Sequence, residues 1–211
     1  MSQSATQLHL TQFESRLWNE GYTRVMGLDE VGRGCLAGPV VAAGVIFDPD
    51  DIPEGINDSK QLSVHQRNHL YDVITSRAKY WVIQEGSIDE IDRLNILWAS
   101  LNTMQRCETH SGAQPDYLLI DGNRYVPTLT PHTCVVKGDS RSVSIAAASI
   151  LAKVHRDRLM SQFHNEYPMY CWDRNVGYPT KDHYEALMKF GITRYHRRSF
   201  RLRADFEYQE K

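Results

Sequence analysis

The apolar positions change period along the chain, and the changes mark out the elements. Leu10, Phe13, Leu17 and Trp18 fall close to helical spacing, so residues 8 to 20 read as a short amphipathic helix. Two apolar runs follow, Thr23 to Asp29 and Cys35 to Phe47, separated by Gly32, Arg33 and Gly34. That pattern reads as strand, tight turn, strand. Pro39 makes the start of the second strand irregular or places it at an edge. Ser63 is a suitable N-cap for a helix reaching about Arg77. Lys79 to Glu85 alternates as a strand does. Ser87-x-x-Glu90 has the form of a capping box. The long helix after it breaks near Asn95, with Ile91, Leu94, Leu97, Trp98, Leu101 and Met104 as its expected buried stripe.

Tyr117 to Ile120 is a continuous apolar run, as in a strand covered on both faces. Thr133 to Lys137 is a further short strand, and Ser142 to about Asn165 is a helix. The small residues between Ile145 and Ala152 suit that helix to close packing on a sheet. Asp157, late in this helix, is expected to pair with Arg156 or Arg158. Thr180 caps a last helix to about Phe190, with Gly191 as its C′ residue. Strands alternating with helices after residue 64 indicate an α/β domain, and the opening hairpin makes its sheet mixed. One domain is expected over residues 1–211, with an α/β core over about 22–165 and a small helical part over about 166–211.

Composition changes this picture little. With 211 residues, 41% of them hydrophobic, the chain can bury a core. No apolar run is long enough to span a bilayer, and Met1 to Thr11 lacks a signal-peptide core, so a cytoplasmic protein without a membrane partner is expected. Cys35, Cys107, Cys134 and Cys171 show no C-x-x-C spacing, which argues against a zinc site and for reduced thiols. The net charge of −2 conceals an uneven distribution. Arg194, Arg197, Arg198, Arg201 and Arg203 crowd the C-terminal end and form a candidate polyanion-binding face.

The candidate chemistry lies in the acids. Asp29, Asp121 and Asp139 each stand where a strand is expected to end at a break in the chain, and Glu30 follows Asp29 directly. Three strand ends carrying aspartate point to convergence at one sheet edge. Carboxylates gathered there repel one another unless cations neutralise them. Oxygen ligands without His or Cys favour Mg²⁺ or Mn²⁺, and four acids suit two ions acting on a phosphodiester. Gly27 to Gly34 is also a near miss to a phosphate-binding P-loop. It fails because Arg33 and Gly34 replace the required Lys and hydroxyl residue. On its own the stretch is equally compatible with a plain hairpin turn bearing solvated charges. Lys60, in the loop before Ser63, is either solvated or a phosphate contact.

A series of motifs then carries a resemblance. They are Gly27-Leu28-Asp29-Glu30-Val31-Gly32-Arg33-Gly34, Asn57-Asp58-Ser59-Lys60, Leu94-Asn95-Ile96-Leu97 and Leu119-Ile120-Asp121-Gly122. After them come Val136-Lys137-Gly138-Asp139, Ala147-Ala148-Ser149-Ile150-Leu151-Ala152-Lys153-Val154, Gly177-Tyr178-Pro179-Thr180 and His196-Arg197-Arg198-Ser199-Phe200. Each is weak alone; in this order, from about Val25 to Phe200, the chain resembles the bacterial ribonuclease HII family.

The resemblance implies an RNase H-like fold with a mixed five-stranded sheet flanked by helices. It implies an endonuclease that cuts RNA in RNA–DNA hybrids and incises 5′ of single ribonucleotides in duplex DNA, leaving 5′-phosphate and 3′-hydroxyl ends. Its metal-binding acids fall on Asp29, Glu30, Asp121 and Asp139, and its sugar-reading groups on Gly32, Arg33, Gly34 and Tyr178. It favours Lys60 as a phosphate contact. A monomer is expected, and no clamp-binding peptide is evident in Glu207 to Lys211. The chain departs from the family's usual wording at Cys35, where proline is common, at Ser140 to Ser144, and at Trp172 to Val176, which lacks the common His-Lys. A binder without turnover and a DNA-cutting nuclease of the same fold are the alternatives. The four intact acids oppose the first, and the Gly-Arg-Gly turn with Tyr178 opposes the second.

Overall fold

The computed structural model describes residues 10–110 and 112–200. A short helix α1 (Gln12–Asn19) precedes strand β1 (Val25–Val31), which pairs antiparallel with β2 (Val40–Ile46). Helix α2 (Val64–Arg77) leads to β3 (Tyr80–Gly86), antiparallel to β2. Helix α3 (Ile88–Thr109) leads to β4 (Tyr117–Asp121), which is parallel to β1, and β5 (His132–Val135) is parallel to β4. The sheet order is β3-β2-β1-β4-β5. A 3₁₀ turn (Gly138–Ser140) then opens into the long helix α4 (Val143–Glu166). The remainder comprises a 3₁₀ turn (Pro168–Tyr170), a one-turn helix α5 (Trp172–Asn175) and α6 (Lys181–Phe190). No helix among the described residues is long and apolar enough to cross a membrane.

Strand alternation sorts the core into two faces. Val41, Ala43 and Val45 of β2 pack with Ala146 to Ala152 of α4 and with Leu70 and Ile74 of α2. Ala42 and Ile46, with Met26 and Leu28 of β1, pack against Leu101, Met104 and Cys107 of α3. The sheet therefore lies between α4 and α3, and the small residues of α4 are buried from Val143 to Ala152. The C-terminal segments make a third cluster, in which Tyr170, Trp172 and Leu187 close on Met160 of α4 and on Leu36 and Ala37.

The expected caps are present. Ser63 and Gln66 form a capping box on α2, as Ser87 and Glu90 do on α3. Thr180 accepts from the His183 N–H at the start of α6. Glu14 reaches across from α1 to cap α4, accepting from the Ser144 N–H at 3.0 Å and from the Ser142 hydroxyl.

Four expectations need correction. Asp29 and Glu30 lie within β1, because pairing with β2 continues to Val31 opposite Val41. β2 begins only at Val40, because residues 36–38 bond to the C-terminal part: Leu36 N–H to the Gly177 carbonyl and Gly38 N–H to the Tyr195 carbonyl, both at 2.8 Å. Asn95 does break α3, with φ 67° and its side chain accepting from the Leu97 and Trp98 N–H groups. The break rotates the stripe, leaving Leu94 and Trp98 exposed while Ala99 and Cys107 are buried. Asp157 pairs with Lys153, at 2.8 Å, rather than with Arg156 or Arg158.

Candidate active site

The acids are brought together by strand register and by one close backbone contact. β1 and β4 run parallel with Leu28 opposite Ile120, so the next step along each strand reaches Asp29 and Asp121. Gly27, two residues before Asp29, has no side chain to hold α4 away. A β-carbon there would meet the Ser144 carbonyl carbon at 2.2 Å. The start of α4, and Asp139 just before it, are thereby drawn to β1. Lys137 takes a left-handed conformation, φ 56°, that turns the chain into the Gly138–Ser140 bend.

Asp29, Glu30, Asp121 and Asp139 line one cleft of about 390 Å³. Gly32, Arg33, Gly34, Lys60 and Tyr178 line the same cleft, so the four acids, the turn, the loop lysine and the tyrosine expected from the sequence all reach it, whereas the C-terminal arginines among the described residues do not line it. Ser59, Arg67, Ser149, Lys153 and Arg156 line it too, without having been singled out.

The acids press on one another. Burial pushes the Asp29 carboxyl well above its ordinary range, and the charges of Glu30 and Asp121 push it further. Burial also raises Glu30, opposed by Arg33, whose Nη1 stands 3.1 Å from Glu30 Oε1. Burial raises Asp121, although its Oδ1 accepts from the Gly138 N–H at 2.7 Å. Asp139 Oδ2 is 2.9 Å from Lys60 Nζ, so Lys60 reaches an acid rather than standing free in solvent. Among the described residues no three acid, histidine or cysteine side chains form a ready-made metal cluster. The carboxylates share a cleft without yet sharing a coordination shell.

Among the described C-terminal arginines, Arg197 is not part of the open basic face expected of it. Arg197 is buried, with Nε donating to the Gly38 carbonyl at 2.9 Å, Nη1 to Arg33 at 3.0 Å and Nη2 to Gly32 at 2.6 Å. Burial pulls its pKa down to about 10, which leaves it charged at neutral pH. Arg194 pairs with Glu166 at 2.6 Å. Arg201 and Arg203 lie outside the described residues. The cations on the cleft are instead Arg33, Lys60, Arg67, Lys153 and Arg156.

Arg156 is a second buried guanidinium held by carbonyls, those of Pro39, Val176 and Ala37. One signal could have found it: with Ala152 and Met160 it continues the buried stripe of α4 at intervals of four. Tyr178 stands beside Gly34, on which a β-carbon would lie 3.8 Å from its ring. Behind Tyr178 lies a histidine pair. Thr193 N–H donates to His196 Nδ1 at 2.9 Å, which leaves the neutral ring's proton on Nε2, facing His183 Nε2 at 3.1 Å. His183 Nδ1 in turn donates to the Tyr178 carbonyl at 2.9 Å.

A family model described as ribonuclease HII matches residues 26–203. The chain belongs to the ribonuclease HII family. The ribonuclease HII of Ruegeria pomeroyi is 52% identical over 200 residues, covering 94% of this chain and 85% of its own length. The solved ribonuclease H2 from Pyrococcus horikoshii OT3 has a similar fold, with TM-score 0.71 and 24% identity over 83% of this chain and 93% of that one. Bst-RNase HIII, solved in complex with Mn²⁺, superposes with TM-score 0.56 and 23% identity over 68% of this chain and 55% of its own. As a member of that family, the chain is an endoribonuclease that hydrolyses phosphodiesters.

Proposed function

We propose that this protein cuts the RNA strand of RNA–DNA hybrids and incises 5′ of single ribonucleotides in duplex DNA. Asp29, Glu30, Asp121 and Asp139 would hold two divalent cations, Mg²⁺ or Mn²⁺. The observation that carries this reading is the single cleft shared by these acids, the Gly32–Gly34 turn and Tyr178.

The donor set fits such ions. It is all oxygen, and hard oxygen donors suit Mg²⁺ and Mn²⁺. Burial raises Asp29, Glu30 and Asp121, and a neighbouring carboxylate adds to the rise at each, so positive charge placed among them would favour their ionised forms. The Mn²⁺ complex of the fold neighbour Bst-RNase HIII supports the choice. When bound, the ions would polarise the scissile phosphate and lower the pKa of the attacking water.

The chain's own residues do the rest. Arg33, Lys60, Arg67 and Lys153 offer positive charge to the flanking phosphates from the cleft wall. The Tyr178 ring can stack on a neighbouring sugar and exclude a 2′-hydroxyl where deoxyribose is required. The turn can meet the ribose closely because Gly34 carries no side chain.

The test is incision of a synthetic duplex with one embedded ribonucleotide, with Mg²⁺ or Mn²⁺ and then with chelator. A metal-dependent cut on the 5′ side, leaving 5′-phosphate and 3′-hydroxyl ends, is expected. No such cut would end the proposal.

A further inference from the structure

The Gly32–Gly34 turn rests on a buried cation, and that fixes which of its backbone groups can face a ligand. Arg197 donates to the Gly32 and Arg33 carbonyls at 2.6 and 3.0 Å, and its Nε holds the Gly38 carbonyl. A trans peptide carries its N–H antiparallel to its C=O. No peptide bond among the described residues is cis. The Gly32 carbonyl shares its peptide with the Arg33 N–H, and the Arg33 carbonyl shares its peptide with the Gly34 N–H. With both carbonyls turned back to one guanidinium, both N–H groups point away from it. The turn lines the cleft, whereas Arg197 is buried behind it.

We infer that Arg197 is a positioning residue for sugar recognition: it presents the Arg33 and Gly34 N–H groups to the cleft as a paired donor for one acceptor oxygen at the ribonucleotide, and withdraws the two carbonyls. This rests on the proposed reading that the turn meets the ribonucleotide, and it goes further by fixing the turn's polarity. The positive charge behind the carbonyls also polarises both peptides so that their N–H groups donate more strongly.

Lysine cannot replace Arg197 here. Three carbonyls in different directions need the planar fork of a guanidinium, not one ammonium. Arg156 serves a neighbouring stretch, holding Ala37 and Pro39 rather than the turn's own carbonyls.

The test compares binding to a duplex with one ribonucleotide and to the same duplex in all-DNA form. Fluorescence anisotropy is read with Mg²⁺ in an Asp121→Asn background, where the strand should stay intact. The parent is expected to prefer the ribonucleotide by about tenfold, equivalent to about 1.4 kcal/mol. Adding Arg197→Lys should reduce that preference below about threefold, leaving all-DNA binding within about twofold at a temperature where circular dichroism shows the variant folded. General loosening of the fold would weaken both duplexes alike.

A preference that survives Arg197→Lys overturns this inference and leaves the reading of the turn intact. A parent without preference overturns that reading, and the inference with it. Should Arg197→Lys fail to fold, the Asp121→Asn parent decides. Its Arg33 and Gly34 amide NMR signals should move on adding the ribonucleotide duplex and not the all-DNA one. Unmoved amides overturn the inference.

Discussion

Gly27 of β1 and Ser144 of α4 meet backbone to backbone: a β-carbon on Gly27 would stand 2.2 Å from the Ser144 carbonyl carbon and 2.3 Å from the Ile145 nitrogen. No rotamer change relieves a clash with main chain. Gly27→Ala is therefore expected to destabilise the fold by at least about 3 kcal/mol, at the upper end for overpacking. Urea unfolding checks this. The surviving folded fraction should also be less active per molecule, because separating α4 from β1 moves Asp139 from Asp29. An alanine variant of unchanged stability would contradict the packing argument.

Tyr178 is expected to matter most at the junction between ribose and deoxyribose. Tyr178→Ala should slow incision at a single ribonucleotide more than cleavage of a long hybrid, in which every sugar of one strand carries the 2′-hydroxyl. Matched rates on the two substrates measure it. Equal losses would remove the role assigned to the ring.

Lys60 separates two kinds of contribution. Its contact with Asp139 is 2.9 Å, but the lysine side chain is 80% exposed. The Asp139 side chain is only 9% exposed, so Lys60→Met, which leaves that acid without its cation, should lower the unfolding free energy by about 1 kcal/mol, the upper end for a partly exposed pair. The lost charge on the cleft wall should raise KM for the hybrid, most at low salt. An unchanged KM would restrict Lys60 to its contact with Asp139.

The buried histidine pair makes stability depend on pH. Burial, then the neighbouring His183, holds His196 down at about 3, and burial lowers His183 from 6.5. In the unfolded chain these two histidines take up protons from about pH 6.5 downward, whereas in the folded chain burial holds them neutral to lower pH. Stability is therefore full above that pH and declines as pH falls from 6.5 toward 3, by up to about 1.4 kcal/mol per unit from His196, with His183 adding to the decline until its own lowered folded value is reached. Unfolding at pH 7, 6 and 5 should show the slope. His196→Gln should be less stable at pH 7 but show a shallower decline. An equally steep decline in that variant would assign the effect elsewhere.

What was legible in the sequence was local. Ser63 and Ser87 announce their caps within four residues, and Asn95 marks its own kink. The acids stood out because each lies within three residues of a glycine; strand register then brought Asp29 and Asp121 together, and the contact of Gly27 with Ser144 drew in Asp139. What was not legible depends on partners distant in the chain. Arg197 read as part of a polyanion-binding arginine face because nothing nearby reveals that three carbonyls from residues 32–38 await its guanidinium. Leu94 and Trp98 fitted an unbroken helical stripe, but the Asn95 kink changes its phase. Pro39 gave warning that β2 starts late, but the bonds from Leu36 and Gly38 to the C-terminal part could not be foreseen.

The central claim is that Asp121 and Asp139 act with Asp29 and Glu30 on shared cations. Mn²⁺ titration followed by the loss of the free-ion EPR signal tests it on the intact protein. The wild type is expected to bind Mn²⁺, and Asp121→Asn to bind it at least about tenfold more weakly, with incision reduced by orders of magnitude and hybrid binding retained. Unaltered Mn²⁺ affinity and incision in Asp121→Asn would contradict the account.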